Sequence, residues 1–185
     1  MTTVGTLNGV DVERLMATVG LIKEQPDLAR FQFRASTSWQ GGGRSLTKIQ
    51  GFYGAGQENT SRTAPFEMAG DEPDLLLGSD TGPNAVEAVL HALTSCLTVG
   101  FIYNAAAQGI KVDSLEFDVE GDLDLRGFLG LNETVRPGYS AINVRYRVKA
   151  DAPRAKIEEL CAYVQRTSPV VDIISNPVPV SVSLE

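Results

Sequence analysis

Two cysteines and one histidine limit the chemistry that this chain of 185 residues can perform. With His91 as its only histidine, the chain cannot build a multi-histidine metal site, and Ser-His-Asp hydrolysis would have to use that residue alone. Cys96 and Cys161 are too far apart to form a Cys-x-x-Cys pair, so a structural zinc site is not expected. The remaining candidate chemistry is that of a thiol, and we predict no metal and no cofactor.

Cys96 lies in the most apolar stretch of the chain, between about Asn84 and Gln108. Apolar residues fall on every face of a helix drawn through this stretch, which is typical of a helix surrounded by protein or lipid. Its length would allow it to span a membrane, but polar residues such as His91 and Asn104 interrupt it and basic flanks are missing. We therefore predict a buried helix, which a second copy of the chain would cover in a homodimer.

Composition and charge favour a cytoplasmic protein with reduced thiols. The net charge is −7, which provides no electrostatic attraction to nucleic acid or to an anionic membrane surface, so neither partner is expected. Two cysteines are too few for a disulfide scaffold, and the polar start of the chain lacks the basic and apolar regions of a signal peptide. The length fits one domain. We place it at residues 29–185, after an N-terminal helical extension over residues 1–28.

Hydrophobic periodicity predicts the other elements. An amphipathic helix spans Asp11–Glu24, a hairpin turns at Gly41-Gly42-Gly43, and residues 57–82 form an irregular segment. The remaining predicted strands lie near residues 31–36, 45–53, 115–119, 142–148 and 178–184. Two further predicted helices run from Ala152-Pro153 to Val164 and over residues 168–174. Strands and helices are segregated rather than alternating, so the predicted fold class is α+β.

Several motifs resemble those of one known family. The run from Gly82 to Leu97, GPNAVEAVLHALTSCL, is similar to the helix that bears the reactive cysteine in the OsmC/Ohr family of organic hydroperoxide reductases. Gly42-Gly43-Arg44 after an N-terminal strand and Ser168-Pro169-Val170 near the C-terminus add to this resemblance, which extends from about Phe31 to the end of the chain.

The resemblance implies a fold and a mechanism. The fold would be an intertwined homodimer with two long central helices flanked by antiparallel sheets. Cys96 would be the reactive cysteine that attacks an organic hydroperoxide and becomes a sulfenic acid. Because the thiolate is the nucleophile, the site needs positive charge or hydrogen-bond donors. Arg44, which matches the family's arginine, is the candidate to hold that thiolate.

Two positions depart from the family pattern. The family's glutamate lies ten residues before the reactive cysteine, where this chain has Val86, and Glu87 is displaced by about 100° around the helix. Glu87 is therefore only a candidate supporting residue. The resolving cysteine of the family's Cys-Pro-Val motif is replaced by Ser168, which cannot form a disulfide and is, like Glu87, a candidate supporting residue. Cys161 lies seven residues before Ser168, about 10 Å along a helix. A disulfide requires Cα atoms within about 7 Å, so a chain that places Ser168 beside Cys96 would not place Cys161 there. We therefore expect an external thiol to regenerate Cys96.

Two hypotheses about function follow. The first is an enzyme in which Cys96 reduces organic hydroperoxides with help from Arg44. The second is a non-catalytic dimer that binds a small hydrophobic ligand near Cys96. Each site residue also has a structural interpretation: Cys96 as a small core residue, Arg44 as a solvated hairpin residue, Glu87 paired with His91, and Ser168 as the cap of the following helix.

Overall fold

The structure is a computed structural model that describes residues 5–184. Its strands are β1 (Thr6–Leu7), β2 (Val10–Asp11), β3 (Gln32–Phe33), β4 (Ser36–Gly41), β5 (Arg44–Ile49), β6 (Phe52–Gly54), β7 (Gln57–Asn59), β8 (Phe66–Gly70), β9 (Val112–Asp122) and β10 (Ala141–Ala150). Its α-helices are α1 (Val12–Glu24), α2 (Ala85–Ala107), α3 (Leu125–Phe128), α4 (Arg154–Thr167) and α5 (Pro169–Ser175). Short 3-10 helices span Pro26–Ala29 and Asp74–Leu76.

The chain divides into two units, one of residues 13–89 and the other of residues 90–184 together with residues 5–12. The core of the second unit lies between helices and the long antiparallel pair of β9 and β10. Alternate residues of β10 are partly buried, so this sheet has one apolar and one polar face, as its periodicity predicts. The fully buried residues of this core are Leu93, Leu97, Phe101, Ala105, Ile110, Leu160 and Val164, from α2, α4 and the link to β9.

Asn8 joins the first residues of the described chain to this same unit. Its backbone has a φ of 56°, a left-handed conformation that asparagine tolerates better than most residues. The side-chain amide donates to the carbonyl of Ile110 at 2.9 Å, and its oxygen accepts from the amide of Val112 at 2.9 Å. One side chain thus satisfies two backbone groups at the start of β9.

The unit of residues 13–89 contains two small antiparallel sheets, in the orders β3-β6-β7 and β4-β5-β8. The β4–β5 hairpin turns at Gly42 and Gly43, next to the paired residues Gly41 and Arg44. Gly41 and Gly42 both have positive φ, which explains why glycine is needed there. This hairpin fixes the position of Arg44 at the first residue of β5.

A buried carboxylate organises the segment between β8 and α2. Asp71 is 3% exposed and accepts hydrogen bonds from the backbone amides of Glu72, Ser79 and Thr81 and from the Thr81 hydroxyl, at 2.7 to 3.2 Å. The Thr81 hydroxyl, followed by these backbone donors, holds the pKa of Asp71 below its usual range. Asp71 was not predicted from the sequence, because its partners lie up to ten positions away in a segment without periodicity.

We expect Asp71→Asn to lower the melting temperature by several degrees at neutral pH, because an amide accepts these donors less strongly than a carboxylate does. A carboxyl group with a lowered pKa in the folded state contributes stability above its unfolded pKa of about 3.9 and loses it as the pH falls through the folded value. The difference between wild type and variant should therefore shrink in acid. Thermal unfolding at a series of pH values measures it, and a difference that stays constant would contradict this account.

Most of the predicted elements are confirmed, and so is the α+β class. The predicted helices correspond to α1, α2, α4 and α5, and the two predicted central strands correspond to β9 and β10, which are longer than their alternating cores. The predicted strand near 45–53 is in fact two strands, β5 and β6, which belong to different sheets. The strand expected over residues 31–36 is shorter than predicted: it is β3, which pairs with β6. The strand that forms the hairpin with β5 is β4.

The prediction of an irregular segment over residues 57–82 is wrong in part, because the segment contains β7 and β8. β7 follows a turn at Ala55 and Gly56, which both have positive φ, and β8 pairs with β5 from Ser45↔Gly70 to Ile49↔Phe66. Pairing with a strand about 20 residues earlier in the chain defines β8, and local composition does not reveal such pairing.

The predicted C-terminal strand is also wrong for the described residues, since 177–184 form neither helix nor strand. Apolar residues do alternate there, but Val180 is 80% exposed and Val182 is 91% exposed. Alternation makes one face of a strand apolar, yet a strand also needs a neighbour for its backbone hydrogen bonds. The described part of this chain supplies none to this segment.

The long helix α2 is the one described helix whose length and composition would allow it to cross a membrane. The core helix of a soluble protein meets the same criteria, so this finding alone is weak evidence of a membrane span. Within its own unit, α2 contributes Leu93, Leu97, Phe101, Ala105 and Ala106 to the buried residues, which shows that one face packs against protein.

Candidate functional site around Cys96

Helix α2, which carries Cys96 near its middle, begins with a reciprocal cap. The backbone amide of Glu87 donates to the side-chain oxygen of Asn84, and the amide of Asn84 donates to the Glu87 carboxylate, both at 2.9 Å. This arrangement is a capping box, which satisfies two of the amides that a helix start leaves without partners. The structure thus gives the predicted supporting residue Glu87 a local role, and places His91 at 3.4 Å from the Ser95 hydroxyl.

We expect Glu87→Ala to destabilise the protein by about 1 kcal/mol, because it removes one half of the capping box. Glu87→Gln should cost much less, since glutamine fills the same position of such boxes. Denaturant unfolding of the two variants measures both values. An equal and large loss in the two variants would show instead that the charge of Glu87 is what matters.

The central feature of the site is a contact between Cys96 and Ser168. The Ser168 hydroxyl donates to the Cys96 sulfur, with Oγ and Sγ 3.1 Å apart. Ser168 is 5% exposed, whereas Cys96 is half-buried. The residue that the sequence resemblance matched to a resolving cysteine therefore lies directly against the predicted nucleophile, although its hydroxyl cannot replace a thiol in a disulfide.

Ser168 reaches this position because it links two helices. Its backbone is extended, which is the conformation that the following Pro169 imposes, so α4 ends there and α5 begins with proline in its first turn. The Ser168 hydroxyl oxygen also accepts from the Val171 amide at 3.2 Å. The prediction that Ser168 caps the short helix is therefore confirmed, and the cap and the contact with Cys96 use the same oxygen.

A pocket of about 440 Å³ opens beside this pair. Its other lining residues are Ser95, Val99, Gly100, Val164, Thr167 and Pro169, from α2, α4 and the start of α5. The Thr167 hydroxyl donates to the Tyr163 carbonyl at 3.0 Å, so it faces its own helix. The walls are largely apolar around the Cys96 sulfur and the Ser168 hydroxyl, a surface that suits the hydrocarbon part of a small organic molecule.

Cys161 has a different environment, in the core. It packs against the buried cluster and is a free thiol, as is Cys96. Burial, with a smaller contribution from the Glu158 carboxylate, raises the pKa of the Cys161 thiol. These facts support the expectation that Cys161 is a structural residue, because an unionised thiol is a poor nucleophile.

Tyr146 lies near Cys161. From the sequence it was predicted only as a residue of a strand. Burial, and to a lesser extent Cys161, raises the pKa of Tyr146 to about 12. Its hydroxyl is buried and has no hydrogen-bond partner among the described residues. Tyr146 lines a second cavity of about 220 Å³ together with Leu93, Leu97 and Gln165.

Arg44 lies in the unit of residues 13–89. Its guanidinium donates to two carbonyls of its own hairpin, that of Gln40 at 3.2 Å and that of Gly41 at 3.4 Å. These bonds match the interpretation of Arg44 as a hairpin residue. Its proposed action on Cys96 stays a prediction.

Comparison with known proteins identifies the family. The model of OsmC-like proteins matches residues 78–183, which is more than half of the chain and includes Cys96 and Ser168. An OsmC-like protein from Mycoplasma pneumoniae is 15% identical, with a TM-score of 0.58 over 79% of this chain and 89% of that one. A protein of unknown function from Vibrio cholerae, also OsmC-like, is 14% identical, with a TM-score of 0.58 over 76% of this chain and 92% of its own.

A third solved structure is a putative osmotic stress induced and detoxification response protein from Psychrobacter arcticus. It is 15% identical, with a TM-score of 0.57 over 77% of this chain and 88% of that one. At these identities the three structures establish the shared fold alone. No curated protein sequence matches the chain significantly. The extent of the family match is decisive: this chain is a member of the OsmC-like protein family.

Proposed function

We propose that this protein is a cysteine-based peroxidase that reduces organic hydroperoxides with Cys96 and is regenerated by an external thiol. The observation that carries the proposal is the position of Cys96, half-buried at the wall of an apolar pocket and in contact with a hydroxyl donor. A nucleophilic sulfur needs access to its substrate and donors to stabilise its anion, and a purely structural cysteine needs neither.

The reaction balances with one hydroperoxide and two thiols. The Cys96 thiolate attacks the terminal oxygen of the hydroperoxide, the O–O bond breaks, and the departing alkoxide takes a proton to become an alcohol. Cys96 is then a sulfenic acid. One external thiol condenses with it to form a mixed disulfide and water, and a second thiol releases Cys96 as an external disulfide forms. Because Ser168 occupies the family's resolving position, no step uses a second cysteine of this chain.

We also propose that the protein acts as a cytoplasmic homodimer in which Arg44 helps to hold the thiolate. Only five of the 23 residues of α2 are buried, and Tyr103 is 47% exposed although the helix is apolar on all sides. A second copy would cover this apolar surface. Sedimentation equilibrium tests the assembly, and a monomer at all concentrations would contradict it.

One observation favours a second candidate function, a dimer that binds a small hydrophobic ligand without turnover. Ser168 cannot complete the two-cysteine cycle, while an apolar pocket lies beside it. This candidate needs the pocket but not the reactivity of Cys96. The two proposals therefore differ in what happens to the sulfur when peroxide is present.

The experiment treats reduced protein with one equivalent of cumene hydroperoxide and then counts free thiols. We expect rapid loss of one thiol in the wild type and in Cys161→Ser, and no loss in Cys96→Ser. Excess small thiol should then restore the lost thiol and sustain consumption of peroxide. A wild-type protein that keeps both thiols would refute the peroxidase and leave the ligand-binding protein.

A further inference from the structure

The Ser168 hydroxyl is positioned to donate its proton to the Cys96 sulfur. A hydroxyl has one proton to donate and two lone pairs that accept. One lone pair accepts the Val171 amide, and Sγ of Cys96 lies 3.1 Å from the same oxygen. The amide occupies one lone pair and leaves the hydroxyl proton available to the sulfur, and once Cys96 is a thiolate its sulfur has no proton of its own and can only accept.

The other polar groups of the pocket are directed elsewhere. Ser95 lies 3.4 Å from the ring of His91, and Thr167 donates to the carbonyl of Tyr163. Among the described residues that line the pocket, none is a lysine, arginine or histidine. Within this pocket, Ser168 is therefore the side chain that the structure directs at the sulfur.

We propose that Ser168 activates Cys96 by a hydrogen bond that stabilises the thiolate, and that the cap of α5 holds the hydroxyl in the orientation this requires. Such a bond is about twice as strong to an ionised acceptor as to a neutral one, so it favours loss of the thiol proton to solvent. Ser168 is 5% exposed, so water competes little for its hydroxyl. In this chain the residue that cannot resolve the sulfenic acid instead prepares the sulfur to react.

This inference rests on the proposed function for its biological meaning, but it concerns ionisation of the thiol, which precedes any encounter with peroxide. It can therefore be tested without peroxide. Iodoacetamide alkylates thiolates, so the alkylation rate at neutral pH reports how much of Cys96 is ionised. In a Cys161→Ala background, Cys96 is the one cysteine that iodoacetamide can alkylate.

Two substitutions separate the donor role from the capping role. Ser168→Ala removes both the cap and the donor. Ser168→Gly also removes the hydroxyl and adds no charge, but it keeps most of the stability of the cap, because glycine is tolerated at cap positions much better than alanine. Asp124→Ala is the matched control for loss of a cap, because Asp124 caps α3 by accepting from the Arg126 amide and does not line the pocket.

We expect Ser168→Ala to slow alkylation about tenfold, which is the scale of a hydrogen bond to a charged group. Ser168→Gly should slow it by a similar factor, and Asp124→Ala should leave it unchanged. The ultraviolet absorbance of the thiolate should develop at higher pH in both Ser168 variants. If Ser168→Ala fails to fold, Ser168→Gly still decides, because glycine keeps most of the stability of the cap.

A Ser168→Gly variant that is alkylated as fast as the background would overturn the inference and leave Ser168 as a cap. Equal rates in the background and in Ser168→Ala would overturn it too. Failure of the proposed function looks different: the alkylation rates would follow the expected order while cumene hydroperoxide leaves Cys96 unoxidised.

Discussion

Ser168→Cys is expected to turn this protein into one that closes a disulfide between positions 96 and 168 when it meets a hydroperoxide. The two side-chain atoms are already 3.1 Å apart, and a disulfide requires about 2.05 Å. A thiol extends farther from its β-carbon than a hydroxyl does, which shortens the remaining gap. The new thiol would attack the sulfenic acid of Cys96 and release water.

Mass spectrometry after one equivalent of cumene hydroperoxide measures this result in a Cys161→Ala background. We expect the variant to lose both thiols and to regain them with a disulfide reductant. Thr167→Cys is the matched control, since the Thr167 hydroxyl is directed at the Tyr163 carbonyl, and its new thiol should remain free. A Ser168→Cys protein that keeps one free thiol and an oxidised Cys96 would show that the two side chains do not meet in solution.

Val99→Trp is expected to slow the reaction with cumene hydroperoxide by about tenfold or more, the scale of a change in fit to an apolar pocket. Val99 lines the pocket beside Cys96 and is 52% exposed, so an indole there would occupy the space that the organic group needs. Hydrogen peroxide has no such group, and the rate of its reaction with Cys96 should change little. Loss of substrate preference, rather than loss of all reactivity, is the expected signature.

Rates of Cys96 oxidation by the two peroxides provide the measurement. Val89→Trp is the control on the same helix, since Val89 is 37% exposed and does not line the pocket. Equal slowing with both peroxides would indicate that the indole disturbs the sulfur itself. An unchanged rate with cumene hydroperoxide would mean that the organic group binds elsewhere.

Elements defined by local periodicity could be predicted from the sequence. Helix α2 and strands β9 and β10 were predicted correctly because each has a long, regular pattern. Where pairing with distant residues decides whether a segment is a strand, hydrophobic periodicity both missed a strand and predicted one that does not form. β8 was missed, and the alternating valines of residues 177–184 were wrongly assigned to a strand.

The site shows the same division. Cys96 and Ser168 are 72 positions apart, and no local pattern brings them together; the family resemblance drew attention to both residues. The capping box of Asn84 and Glu87 was not predicted, although its sequence signal is present: a polar residue followed three positions later by glutamate. The hydrogen bonds of Asp71 depend on loop geometry, and the sequence does not specify that geometry in advance.

Trapping the sulfenic acid on Cys96 tests the central claim most directly. Reduced protein is treated with one equivalent of cumene hydroperoxide in the presence of dimedone, which bonds to sulfenic acids, and the adduct is located by peptide mass. We predict one adduct per chain, on the peptide that contains Cys96, with Cys161 unmodified. No adduct at all, or an adduct on Cys161 with Cys96 still reduced, would contradict the assignment of Cys96 as the peroxide-reducing residue.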